Sequence, residues 1–171
     1  MFKITTTIAP VTEPVTLAEV KAKLSITDTD NDTRLTALIS AVRNNVENFC
    51  GIAIGSQTKQ WIYDFDDDYE HHIPFGPVIS ITSVSRNNTG SIYEALTVDS
   101  NYYYDSGLLT GLYGRNKIVY VTGYTTIPPA LKEGILTEIA YRYENYGDEN
   151  KDGFSKEAMD YIIRFKDFSW E

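Results

Sequence analysis

The chain has 171 residues, a formal charge of −9 and a single cysteine, Cys50. That length suits one domain, or one domain with a terminal appendage, and buries a core without help from disulfides. The lone thiol excludes an intramolecular bridge and fits a reducing compartment, and the acidic balance argues against a phosphate-gripping surface, because nucleic-acid affinity depends on Lys and Arg displacing counterions.

Met1-Phe2-Lys3-Ile4 and the following Thr5-Thr6-Thr7 offer neither the apolar run nor the cleavage pattern of a signal peptide. No apolar stretch approaches the roughly 18 to 20 residues that span a bilayer. A soluble protein made without export and without membrane contact is expected. Tyrosine dominates the aromatics, with 13 residues against 2 tryptophans, a composition equally suited to half-buried sheets and to protein interfaces.

The first element is signalled by a complete start. Thr16 at the N-cap and Glu19 at N3 make a capping box, and Val15 with Val20 make a hydrophobic staple. Leu17, Val20 and Leu24 recur at helical spacing and predict a helix over 17–24. Asp28, Asp30 and Asp32 then alternate as in the opening of a calcium loop. An EF-hand needs Gly at its sixth position and Glu at its twelfth, where this chain has Thr33 and Ile39. The acids read instead as the negative N-terminal turn of the next helix, favoured by its macrodipole.

Leu35, Leu38, Ile39, Val42, Val46, Phe49 and Cys50 form the longest apolar stripe in the chain and predict a helix over 31–50, stopped by Gly51. Arg34, Arg43, Asn44, Asn45, Glu47 and Asn48 fall on the other face, expected to be solvated or to face another subunit. From Thr58 the period becomes two, with Trp61, Tyr63 and Phe65 on one side of a strand over 58–65. His71 and His72 follow a run of acids. Imidazole and carboxylate can both ligate metal, but adjacent strand residues point to opposite faces, so a solvated turn is expected there.

Further strands are predicted over 78–84, 92–98, 101–105 and 116–122. The glycines between 107 and 114 read as turn chemistry, since a phosphate loop would end in Gly-Lys-Ser/Thr before a helix. Pro128-Pro129 begins a helix over about 129–146, striped by Leu131, Ile135, Ile139 and Tyr143. Gly134 inside it marks a close helix crossing. A polar, Gly-bounded linker over 147–153 precedes a short helix near Ser155 bearing Ala158, Tyr161, Ile162 and Phe165, with Phe168 and Trp170 beyond. So aromatic a segment is expected to dock, either on the parent domain or on a partner.

These parts predict an α+β fold: two N-terminal helices and one later helix packed with an antiparallel sheet, plus a C-terminal helix and tail. Residues 1–147 form the core domain, with strands between about 57 and 123, and 148–171 form a linker and docking helix. Deleting the latter is expected to leave the core folded.

The ordered set Val15-Thr16-Leu17-Ala18-Glu19-Val20-Lys21, Asn48-Phe49-Cys50-Gly51, Ile73-Pro74-Phe75-Gly76-Pro77-Val78, Ile81-Thr82-Ser83-Val84, Val119-Tyr120-Val121-Thr122-Gly123-Tyr124 and Ile127-Pro128-Pro129-Ala130-Leu131-Lys132 resembles the head-tail connector family of tailed bacteriophages, also called head-completion or adaptor proteins. The likeness covers about residues 15–146. It implies a structural subunit of the virion neck, assembled in the host cytoplasm. It further implies a homo-oligomeric ring, commonly a dodecamer, between the portal protein and a downstream tail component. DNA would pass through its channel without specific binding, and the acidity of each subunit agrees, since it disfavours adhesion of passing phosphates. In such proteins the segment after the last core helix often reaches the portal, which here makes Tyr161, Ile162, Phe165, Phe168 and Trp170 the expected anchors.

No catalytic, cofactor-binding or metal-binding set emerges from the spacing, so an enzyme is not expected. The rival readings are another tail-completion or small binding module, using Trp61 and Tyr102-Tyr103-Tyr104, and a small hydrolase built from acids brought together by folding.

Overall fold

The capping box forms as its spacing requires: Glu19 N donates to Thr16 Oγ1 at 3.2 Å and Thr16 N donates to Glu19 Oε2 at 2.9 Å. It starts helix α1 (Leu17–Leu24), and the stapling residues Val15 and Val20 are both buried. The computed structural model describes residues 3–65, 70–88, 92–146 and 153–167. Within them the chain runs from strand β1 (Lys3–Ile8) through α1, α2 (Asp32–Cys50), β2 (Gln57–Phe65), β3 (His71–His72), β4 (Val78–Asn87), β5 (Tyr93–Ala95), β6 (Tyr103–Asp105), β7 (Leu108–Thr110) and β8 (Gly114–Thr122). Helices α3 (Pro129–Glu144) and α4 (Lys156–Ile162) and a 3-10 turn (Ile163–Phe165) complete it.

The strands make a five-stranded sheet in the order β1-β2-β8-β4-β5 and a three-stranded sheet in the order β3-β7-β6, with every strand pair antiparallel. The fold is α+β, as the sequence predicts. In the central pair Trp61 stands opposite Ile118 and Gln57 opposite Thr122. The alternation Trp61, Tyr63, Phe65 places three rings on one face, with centroids 4.8 to 5.4 Å apart.

Two apolar cores result. The helical core gathers Leu35, Ile39, Val42, Val46 and Cys50 of α2, Leu131, Ile135 and Ile139 of α3, and Ala158 and Ile162 of α4. The sheet core gathers Trp61, Phe65, Leu109, Leu112, Ile118 and Tyr120. Leu109 and Leu112 are fully buried, so the segment between the glycines of 107–114 contributes a strand and core residues in addition to its turns.

The chain passes between the sheet and the helices three times, at 9–16, 51–56 and 123–128, and the last two connections touch through backbone. Tyr124 N donates to Ile54 O at 3.1 Å and Gly123 N to Pro77 O at 2.9 Å. Gly123 has φ +126°, and a Cβ there would lie 2.5 Å from Gly55 O. Nothing larger than hydrogen fits.

α4 packs into the same core as α1 to α3, on the side of α3 where Gly134 lies. A Cβ at Gly134 would meet Tyr161 Cβ at 2.9 Å and Ile162 Cγ1 at 3.0 Å, which is the close crossing that Gly134 marks in the sequence. Residues 153–167 are therefore continuous with the helical core in their packing. Most of the expected linker, 147–152, lies outside the described residues.

Candidate functional site

The outward surface of α2 is uncharged. Thr33, Thr36, Ala37, Ala41, Asn44, Asn45 and Asn48 are exposed along it. The charged residues of the helix are all drawn into contacts: Lys21 Nζ meets Asp32 Oδ1 at 2.7 Å, the Arg34 guanidinium lies over the rings of Tyr143 and Tyr146 at 4.7 and 4.1 Å, and Arg43 reaches Glu13 at 2.7 Å and Glu47 at 3.2 Å.

Arg43 and Glu47 correct the sequence expectation of a solvated or subunit-facing position, since both are buried, at 8 % and 5 % exposure. Glu47 Oε1 accepts from Ile54 N at 2.7 Å and from Gln57 Nε2 at 2.8 Å, so one carboxylate ties α2 to the chain entering β2. Burial opposes the Arg43 charge, but the hydrogen bond that Arg43 donates to Glu13 and the charges of the Glu13 and Glu47 carboxylates outweigh it and hold its pKa above the ordinary value. Nearby Lys59 is 6 % exposed, and burial pulls its pKa down against the attraction of Glu47. Arg43, Glu47, Gln57 and Lys59 line a polar cavity of about 300 Å³ between α2 and β1-β2. Its ion pairs are structural ties with no nucleophile and base converging.

The two histidines diverge. His71 packs edge-on against Phe65 with centroids 4.6 Å apart, His72 is exposed, and both lie in β3 rather than in a turn. No group of three or more His, Cys, Asp or Glu side chains among the described residues is placed to hold a metal. No helix is long and apolar enough to cross a membrane among the described residues.

The five expected anchors separate. Ile162 is fully buried and Phe165 packs on the helical core, so both hold α4 to its own domain. Tyr161 is 38 % exposed, and the neighbouring Ile163, which sequence reasoning passed over, is 42 % exposed. Phe168 and Trp170 lie outside the described residues. The turn after α4 is pinned to the end of α2, where Asp167 N donates to Cys50 O at 2.7 Å.

The family model for head completion proteins matches residues 13–164, nearly the whole chain. The chain belongs to the head completion protein family. It is a structural virion component and not an enzyme, and the uncharged α2 surface and the exposed side of α4 are surfaces of such a component. Its fold recurs in solved assemblies. A chain from the neck of an empty gene transfer agent (GTA) particle, computed with C6 symmetry, superposes with a TM-score of 0.79 at 16 % identity, over 96 % of this chain and 95 % of that one. A chain of the native GTA virion gives 0.74 at 16 % identity, over 94 % and 95 %. One from the native GTA neck computed with C12 symmetry gives 0.65 at 17 % identity, over 93 % and 94 %. No curated protein matches the chain in sequence.

Proposed function

We propose that this head completion protein is the head-tail connector of a phage-like particle. Twelve copies form a ring between the portal and the next tail component, and DNA passes through the centre. The observation that carries this reading is the neutral outer face of α2. In a chain of charge −9, an exposed helix of this length would ordinarily carry charge on its wet side. A face of Thr, Ala and Asn desolvates cheaply against another subunit, as interface centres depleted of charge do. The shared fold with GTA neck chains, one of them in a twelve-fold assembly, supports the same reading.

Attachment to the portal falls to the C-terminal segment, with α4 as its base and Tyr161 and Ile163 as exposed contacts. The excess acidity keeps passing phosphates from adhering. Purified protein mixed with portal-bearing heads tests the proposal by electron microscopy. A twelve-fold ring seated on the portal is expected, and a monomer indifferent to the portal would refute it in favour of a separate binding module.

A further inference from the structure

The five-stranded sheet is open at both ends. Among the described residues no strand lies beyond β1 at one end. At the other, β5 covers only Ser85, Arg86 and Asn87 of β4, and Leu96 N donates to Val84 O at 2.9 Å, so 78–83 have no neighbour on that side among the described residues. β1 is exposed along its length apart from Ile4, and Ile79, Ser80, Thr82 and Ser83 are exposed in β4. Each open edge is therefore six residues long, Lys3–Ile8 and 78–83. Their sequences, Lys-Ile-Thr-Thr-Thr-Ile and Val-Ile-Ser-Ile-Thr-Ser, hold Lys3 as their sole charge in a chain that is 23 % charged. Edges that must stay single are ordinarily guarded by charge, proline or a covering element.

We propose that the β1 edge of one copy pairs antiparallel with the open β4 edge of the next, so that the sheet continues from copy to copy. The inference rests on the ring proposed above and adds a backbone contact to the one made by the α2 face. Main-chain hydrogen bonds across the joined edges supply the affinity, as when an extended segment adds to an open sheet.

The two edges fit each other in length, direction and side chains, which makes a second copy the occupant. Successive neighbours β1, β2, β8 and β4 alternate in direction, so β1 and β4 run oppositely. A twelve-fold ring turns each copy by about 30° from the last and leaves that opposition intact. Antiparallel pairing then sets the end of β1 against the start of β4, where Ile8 is 60 % exposed and Ile79 43 % exposed. Each isoleucine covers the other. Both strands also shift register at that end, β1 between Thr6 and Ile8 and β4 between Val78 and Ser80, and β4 shifts again between Ile81 and Ser83. A flat foreign strand is poorly matched to such bends, whereas here both partners carry one at the joined end. Because the two edges are different surfaces, the contact is heterologous, the kind that closes into rings.

Hydrogen exchange on the assembled ring, compared with the free subunit, reads the backbone directly. Amides of 4–8 and of 79–83 should slow together, by about tenfold or more. Ile8→Cys with Ile79→Cys, joined by a short bismaleimide that tolerates one residue of register, should give a ladder of cross-linked multimers, with buried Cys50 silent. Ile79→Lys puts a guarding charge on an exposed position, so it should keep the wild-type circular dichroism and lose both protection and ladder. Rings whose edges stay unprotected and give no ladder, or rings indifferent to Ile79→Lys, would overturn the edge contact and leave the connector reading intact. Protection of one edge alone, appearing only with the portal, would assign that edge to the portal and overturn the proposal as well. If no ring forms, the cross-link in concentrated free protein still decides: a ladder shows the edges pairing in open chains and counts against ring closure alone, and no ladder overturns both readings.

Discussion

Gly134 of α3 lies directly under Ile162 of α4, so close that a β-carbon on the glycine would stand 3.0 Å from Ile162 Cγ1. The missing side chain is what lets the terminal helix seat. Gly134→Ala should gain about 1 kcal/mol in helix propensity and lose about 1 to 3 kcal/mol to overpacking, a net destabilisation of about 1 kcal/mol. Gly134→Val adds further bulk without an equal propensity gain and should cost about 3 kcal/mol. Chemical denaturation of the two variants checks the order.

Glu138 has no exposed surface and holds two groups at once, accepting from Arg142 Nε at 2.6 Å and from Ser155 N at 2.9 Å. It fastens the start of α4 to α3. Glu138→Ala strands both donors and should destabilise by about 3 to 5 kcal/mol, whereas Glu138→Gln keeps one acceptor and should cost about 1 to 2 kcal/mol. Thermal unfolding separates them.

Deletion of 148–171 should not leave an intact core. It removes Ala158 and Ile162, both fully buried, and one buried isoleucine alone is worth about 2 to 5 kcal/mol. A sharply lowered melting temperature is expected. Attachment is better probed by Tyr161→Ser and Ile163→Asp, which alter exposed positions. These should cost within about 1 kcal/mol of stability while reducing binding to portal-bearing heads, measured by co-sedimentation.

Glu19 joins α1 to α3 through Lys132 Nζ, 2.5 Å from Oε1. The Lys132 hydrogen bond, then the Thr16 backbone N–H, lower the Glu19 pKa from 4.5 to about 2. Because the folded value is depressed, the stabilisation is complete above the unfolded value of 4.5 and is lost as pH falls through about 2. The pair is partly exposed, so solvent screening holds its worth to about 1 kcal/mol or less. Glu19→Gln should flatten this part of the acid limb of a stability-against-pH curve, and an unchanged slope would refute the assignment.

What could be read in advance was local. Thr16 and Glu19 bond within one turn, the α2 stripe repeats at a fixed period, and Gly51 stops its helix in the left-handed conformation, all consequences of residues a few positions apart. β1 leaves no mark in the sequence because its threonines do not alternate with apolar residues and its partner β2 lies 50 or more residues away. Of the second sheet only the strand over 101–105, which contains β6, is legible in the sequence: β3 and β7 are two and three residues long, too short for a period to show, and pair over a distant stretch of chain. Arg43 and Glu47 fall on the polar side of α2 by spacing, and only the N-terminal segment folding over them, with Glu13 as partner, buries their charge. Glu138 and Arg142 stand at the spacing of an ordinary surface ion pair, and nothing nearby in the sequence announces that Glu138 is buried and also accepts from Ser155 N. Of the terminal anchors, spacing identified the apolar positions but could not say which of them the parent helices would occupy.

The backbone contact between Gly55 and Gly123 has an evolutionary corollary. Leucine can trade with isoleucine or methionine within either core at modest cost, so each half can drift on its own, and a GTA neck chain of the same shape keeps only 16 % of these residues. No comparable freedom exists where the two crossings meet, because any side chain on Gly123 would collide with a carbonyl that cannot move aside. Mutational scanning should therefore find that seam among the least forgiving positions in the chain.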